Sequence, residues 1–259
     1  MHETHSQAAL ALENARLHQE ARRAVRERDE LLAIVAHDLR HSVNAVVMLT
    51  GAVLSREATD PAASGAPIMT RDEVESIRAA ARQADGLIQD LQDLSRIAVG
   101  RLRVERQRFS ASDLLTEAAD MFEPVMEDAA LRFLRRFDES LPQLEADRQR
   151  LLQVLSNLLG NAVRFTPHGG EVVLSAAVVD ERLRVEVRDS GPGIAPDVVP
   201  HLFERYGQVP RLLRAGTGLG LSLCKGILAA HAGEIGVTSA VGTGSAFWFT
   251  IPWHQGVRA

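Results

Sequence analysis

The 259-residue chain has one cysteine, Cys224, which excludes an internal disulfide and any thiolate metal cluster. Its neighbours Leu221, Leu223, Ile227 and Leu228 mark it as a small core residue. Aromatic residues are only 4% of the chain against 46% hydrophobic, so the core is mostly Leu, Val, Ile and Ala, which suits helix bundles and helix-on-sheet layers. No apolar run reaches the roughly eighteen residues that a membrane span needs, and the N-terminus lacks the apolar core of a signal peptide. The expectation is a cytoplasmic protein with no direct membrane span. A positive excess is also missing: a net charge of -5 and a pI near 6.0 give no general attraction to nucleic acid, so DNA is not an expected partner.

Glycine and proline are absent from Gln7 to Val35, where Leu10, Leu17, Ala24 and Leu31 recur every seventh residue, with Asn14, Ala21, Arg28 and Val35 at the alternate core position. This pattern fits a parallel two-stranded coiled coil whose polar Asn14 favours dimers and fixes register. The alternative is a single amphipathic helix with a solvated face. The helix continues to about Leu54, with Leu31, Ile34, Val35, Leu39, Val43 and Val46 as its apolar stripe. His37 lies at the edge of that stripe, and Asp38 beside it can accept one ring proton and leave the other nitrogen as a nucleophile. Taken alone, a helical histidine is more often an ordinary solvated or core residue.

Ser55 to Thr70 contains Asp60-Pro61 and Ser64-Gly65-Ala66-Pro67, turn formers without apolar period. A second helix, Arg71 to Val99, carries a stripe of Ile77, Ala81, Ala84, Ile88, Leu91 and Ala98 and is closed by Gly100. Two such antiparallel helices cannot bury their stripes alone, but two copies of the hairpin make a four-helix bundle, so a homodimer is expected. After a linker and short strand from Arg101 to Phe109, Ser110 or Ser112 caps a helix from about Asp113 to Ala129, and a strand follows at Leu131 to Phe137. Asp147 to Phe165 is strongly helical, burying Leu151, Leu152, Val154, Leu155, Leu158 and Leu159. Strands at Glu171 to Val179 and Arg182 to Arg188 form a hairpin. A lid-like segment from Ser190 to Thr217, a helix from Leu219 to Ala230 and strands at Glu234 to Ser239 and Ser245 to Pro252 complete an α+β domain with a mixed sheet under helices.

Within the Asp147 to Phe165 helix, Asn157, Asn161 and Arg164 share a face. Two carboxamides amid leucines need partners; oxygens of a bound metal or phosphate would serve, with Arg164 matching phosphate charge, as would hydrogen bonds within the protein. Asp189-Ser190-Gly191-Pro192-Gly193-Ile194 puts a carboxylate at a strand end before glycines that admit a ligand, which suits an adenine amino group. Gly216-Thr217-Gly218-Leu219-Gly220 is a glycine-rich turn directly before a helix, a setting that presents free N–H groups to phosphates.

Together, in this order, these stretches resemble the boxes of sensor histidine kinases: His37-Asp38-Leu39-Arg40, Asn157 to Asn161 with Arg164-Phe165-Thr166-Pro167, Asp189 to Gly193, Leu202-Phe203-Glu204-Arg205-Tyr206, and Gly216 to Gly220. The resemblance runs from about Asp29 to the end. It implies a coiled-coil signalling helix at 1–29, a dimerisation and histidine phosphotransfer domain at 30–100, and a catalytic α+β sandwich of the gyrase, Hsp90 and histidine kinase type at 101–259. It also implies ATP and magnesium as ligands, with Asp189 on the adenine, Asn161 supported by Asn157 on the metal, Arg164 in place of the usual lysine, and Phe165, Ile194 and Tyr206 near base and lid. His37 would then take the γ-phosphoryl group, with Asp38 as its orienting acid, and pass it to an aspartate of a response regulator receiver domain; an upstream sensor domain or protein would supply the signal. Two other readings stand beside this one: a non-catalytic nucleotide-binding scaffold, and an ATPase of the same superfamily. The chain departs from the family in having His41-Ser42 where a small polar residue and proline are usual, so weak dephosphorylation of the regulator is expected.

Overall fold

The computed structural model describes residues 39, 43, 44, 46–48, 50, 70–138, 140–204 and 219–253. The heptads, His37, Asp38, His41, Ser42, Tyr206 and residues 216–218 lie outside the described residues. The chain divides into two compact units, Met1–Gln89 and Asp90–Ala259.

In the first unit the described residues between 39 and 50 are helical. Helix α1, Arg71–Ala98, opens on a reciprocal cap: the Glu73 N–H donates to Thr70 Oγ1 (3.3 Å) and the Thr70 N–H donates to Glu73 Oε2 (2.9 Å). It ends in a left-handed Gly100, φ 64°, with Gly100 N–H bonded to the Ile97 carbonyl and Arg101 N–H to the Arg96 carbonyl. The expected stripe is not covered within the single chain, since Ile88 is 44% exposed. The last turns of α1 instead bury Asp93 and Leu94.

The second unit is built on a five-stranded mixed sheet in the order β2-β4-β5-β7-β6: β2 Arg132–Arg136, β4 Glu171–Val179, β5 Arg182–Asp189, β6 Glu234–Ala240 and β7 Gly244–Pro252. Only the β2/β4 pair is parallel. Helices α2 (Ala111–Asp128), α3 (Arg148–Phe165) and α4 (Gly220–Ala230) pack on it. Along β5 burial alternates, with Leu183, Val185, Val187 and Asp189 buried, as one covered face requires. Leu151, Val154, Leu155, Leu158 and Leu159 of α3 are buried as expected, whereas Leu152 lies half-buried at the edge of the stripe. Ser110 is the cap of α2, accepting from the Asp113 N–H, and Asp147 caps α3, accepting from Arg150 N–H.

One strand has no counterpart in the sequence reading. β3, Gln143–Ala146, pairs antiparallel with β1, Gln107–Ser110, as a separate two-stranded ribbon. The β4/β5 turn uses Asp180 and Glu181, both left-handed (φ 47° and 58°), the pattern of a two-residue primed hairpin turn.

Candidate functional site

Asp189 ends β5 on the buried side of the sheet and is only 7% exposed. Its Oδ1 accepts from the Gly191 N–H (2.8 Å) and the Ser245 N–H (3.3 Å), so the carboxylate is fixed by its own turn and by the neighbouring strand β7. Burial pushes this carboxyl above the usual carboxylate range, and those two hydrogen bonds draw it part of the way back. Among the described residues no hydrogen bond goes to Oδ2. A buried carboxylate with one oxygen unused suits a ligand that brings its own donor, such as the amino group of adenine.

The glycines after it allow close approach. A Cβ on Gly191 would lie 2.7 Å from Asp189 Oδ1 and 2.8 Å from the Phe165 carbonyl oxygen. Gly193 has φ 72°, and a Cβ there would collide with the Ala240 carbonyl. Next to it the Ile194 N–H donates to Ser239 Oγ (2.8 Å).

Helix α3 ties this turn to the second glycine stretch. Its last residue, Phe165, 39% exposed, backs onto Gly191. Two turns earlier Asn157 backs onto the first residue of α4: a Cβ on Gly220 would lie 2.6 Å from Asn157 Oδ1. The Cys224 thiol donates to the Val154 carbonyl (3.9 Å), and burial above all holds it in its protonated form. Asn157, Asn161 and Phe165 recur at four-residue steps and therefore share a face, with Asn161 midway along a span of roughly 12 Å. Asn161 is half-buried and Arg164 exposed, and among the described residues neither side chain makes a hydrogen bond to protein. At the start of α4, Leu219 makes no side-chain cap hydrogen bond, and a helix N-terminus is a setting that suits an anion.

These features fit a nucleotide with its base at Asp189 and its phosphates toward α4. No group of three or more His, Cys, Asp or Glu able to hold a metal occurs among the described residues. A cation beside Asn161 would take most of its ligands from phosphates and water, as magnesium does.

The structure thus brings Gly191, beside Asp189, against Phe165 of α3 and Gly220 against Asn157 of α3, with Asn161 between them on that helix, while Gly193 and Ile194 lie against Ala240 and Ser239 of β6; His37, Asp38, Tyr206, Gly216, Thr217 and Gly218 lie outside the described residues. Ser245 and Ser239 were missed by the sequence reading. They act across strands, and no local pattern links them to Asp189.

Comparisons with known proteins agree with this geometry. Residues 27–100 match the family of the His Kinase A (phospho-acceptor) domain, and residues 146–255 match the histidine kinase-, DNA gyrase B- and HSP90-like ATPase family. The catalytic domain of the histidine kinase ThkA is 31% identical, with a TM-score of 0.52 over 57% of this chain and 96% of that one. The chain belongs to the histidine kinase family. Among curated relatives, the sensory/regulatory protein RpfC of Xanthomonas campestris is 32% identical over 92% of this chain and 33% of its own length. The adaptive-response sensory kinase SasA of Microcystis aeruginosa is 31% identical over 88% and 60%. The chain therefore spans one third to three fifths of the length of these relatives. ThkA solved in complex with the response regulator protein TrrA matches 88% of this chain and 63% of that one, at 25% identity and a TM-score of 0.59. Full-length ShkA in complex with AMPPNP matches 87% and 46%, at 28% identity and a TM-score of 0.59. The ATPase family match gives the second unit an ATP-binding fold, and no described helix is long and apolar enough to cross a membrane.

Proposed function

We propose that this chain is the core of an ATP-dependent protein histidine kinase, which phosphorylates itself on His37 and passes the phosphoryl group to an aspartate of a response regulator. The observation that carries the reading is Asp189, a buried carboxylate whose Oδ2 takes no hydrogen bond among the described residues, joined through α3 to the glycine that opens α4. A regulator as partner is supported by the ThkA complex with TrrA, and a nucleotide ligand by ShkA with AMPPNP.

Phosphoryl transfer asks little of the protein beyond positioning and charge neutralisation. Asp189 holds the adenine amino group, with Ile194 and, from beyond the described residues, Tyr206 against the base and lid. Gly216, Thr217, Gly218, Leu219 and Gly220 receive the phosphates on backbone N–H groups. Asn161, supported by Asn157, would hold a magnesium ion, which would supply charge neutralisation on the phosphates. Arg164 adds a forked donor to the same end. The neutral His37 nitrogen attacks the γ-phosphorus, the bond to the ADP oxygen breaks, and Asp38 orients the ring and takes its proton. In domain terms, 1–29 is the signalling helix that receives an upstream sensor's state, 30–100 the dimerisation and phosphotransfer domain, and 101–259 the catalytic domain. Homodimerisation covers the α1 stripe, and light scattering should give twice the chain mass.

Incubation with γ-labelled ATP tests the proposal. Acid-labile label should appear on the parent chain and be lost in His37→Ala, whose ATP affinity should be unchanged. Free phosphate alone would instead mark an ATPase, and nucleotide binding without turnover a scaffold.

A further inference from the structure

The compact unit that carries the sheet begins inside α1, at Asp90, ahead of the linker where a domain boundary is expected. A polar lock ties this end of α1 to α3. Asp93 has a side-chain exposure of 0% and forms a forked ion pair with Arg150 of α3, 18% exposed, in which Arg150 Nη2 donates to Oδ1 (2.9 Å) and Nη1 to Oδ2. Gln153 Nε2 donates to Asp90 Oδ1 (3.2 Å), and Ile97 fills the space that a side chain would take on Gly226 of α4. The linker that follows is pinned as well, with the Glu105 N–H donating to Asp147 Oδ2 (2.9 Å).

A second observation lies one turn before Asp90. Gly86 sits in the interior of α1, and a Cβ there would meet nothing within 4 Å. Neither packing nor backbone sign asks for glycine, yet glycine weakens a helix interior. It is therefore a place where the helix can bend.

We propose that Arg150 and Asp93 are positioning residues that make Asp90–Ala98 a strut of the ATP-binding unit, so that this unit swings about Gly86 and not about the linker 101–106. The inference rests on the kinase reading above only for its consequence in rate. The forked pair resists separation because it would leave the buried Asp93 with only the more distant and exposed Arg96, 3.7 Å away on α1. The strut and the nucleotide helix are consequently one body: Arg150, Gln153, Asn157 and Asn161 all lie on α3.

The test uses the full chain with two readouts. In hydrogen exchange, Arg150→Gln should lower the protection of amides 91–98 at least tenfold while leaving that of 74–85 unchanged, and Arg150→Lys should retain part of the protection. Protection of 91–98 that Arg150→Gln leaves unchanged would overturn the strut. This arm needs no kinase activity, so it decides the strut even if the parent chain takes up no label from ATP. In autophosphorylation, Gly86→Ala should slow labelling about fivefold, the ratio matching the helix preference of alanine over glycine, with ATP-analogue affinity unchanged. A Gly-Ser pair inserted after Arg101 should change the rate less than twofold. Labelling that ignores Gly86→Ala but responds to the insertion would place the hinge in the linker and overturn the proposal. Neither of these two variants disturbs the ion pair, so this arm holds even if Arg150→Gln fails to fold.

Discussion

Asp189 and His231 are both buried, and their chemistry predicts opposite responses to proton and ligand. For Asp189, replacement by Asn keeps an acceptor for the Gly191 and Ser245 N–H groups but loses the charge. A hydrogen bond to a charged group contributes about 1.5–3 kcal/mol, so Asp189→Asn should weaken ATP binding by one to two orders of magnitude, with or without magnesium. Equilibrium titration checks it; affinity unchanged from the parent would remove Asp189 from the adenine site. His231, 3% exposed, ends α4: its Nδ1–H donates to the Ile227 carbonyl (2.8 Å), leaving Nε2 to accept the Asp147 N–H (3.0 Å). Only the neutral ring can do both. Burial lowers its pKa below the ordinary 6.5, opposed by the Ile227 carbonyl and the Asp147 charge. The unfolded chain then binds more protons than the folded one, so stability rises with pH. The contribution is complete above the unfolded value and is lost as pH falls through the lower folded one. Urea unfolding between pH 7 and pH 5 should show a steeper loss for the parent than for His231→Gln.

Among the elements, the β4/β5 hairpin carries an avoidable strain. Asp180 and Glu181 both adopt positive φ, a conformation that costs non-glycine residues on the order of 1 kcal/mol. Glu181→Gly should stabilise the second unit by roughly 0.5–1 kcal/mol, after allowing for the greater freedom of glycine in the unfolded chain. A lower urea midpoint for this variant would refute the account. The same hairpin was legible in the sequence, as were α2, α3 and α4, because a covered strand alternates and a half-covered helix repeats its leucines. The cap of α2 was legible as one of two serines, of which Ser110 serves, whereas Asp147, read as the first residue of its helix, is instead the cap of α3. β3 was not. It has four residues, follows Pro142, and takes its meaning from β1, some thirty-five residues earlier in the chain. Asp93 was also invisible as a core residue, since an acid on a charged helix reads as solvated until its arginine is seen.

For the whole molecule, the described glycines Gly191, Gly193 and Gly220 were legible in the sequence because they belong to short-range patterns: a carboxylate at a strand end with glycines beside it, and a glycine at the start of a helix. What joins them was not, since Ser245 meets Asp189 through strand register and Asn157 meets Gly220 through the crossing of two helices. That crossing also encloses Cys224, which has no exposed surface and lies against the Val154 carbonyl in the centre of the ATP-binding unit. Because it is the chain's sole thiol, a disulfide reagent such as Ellman's can react only when this unit opens. Labelling of the native protein should therefore be slow and follow a single exponential, and it should slow further, about a hundredfold, when nucleotide is supplied at a hundred times its dissociation constant. Rapid reaction unaffected by nucleotide would mean that the thiol is reached without opening. The buried sulfur makes the unaltered protein its own stopwatch for the breathing of the kinase core, and a silent background into which a surface cysteine can be introduced and labelled alone.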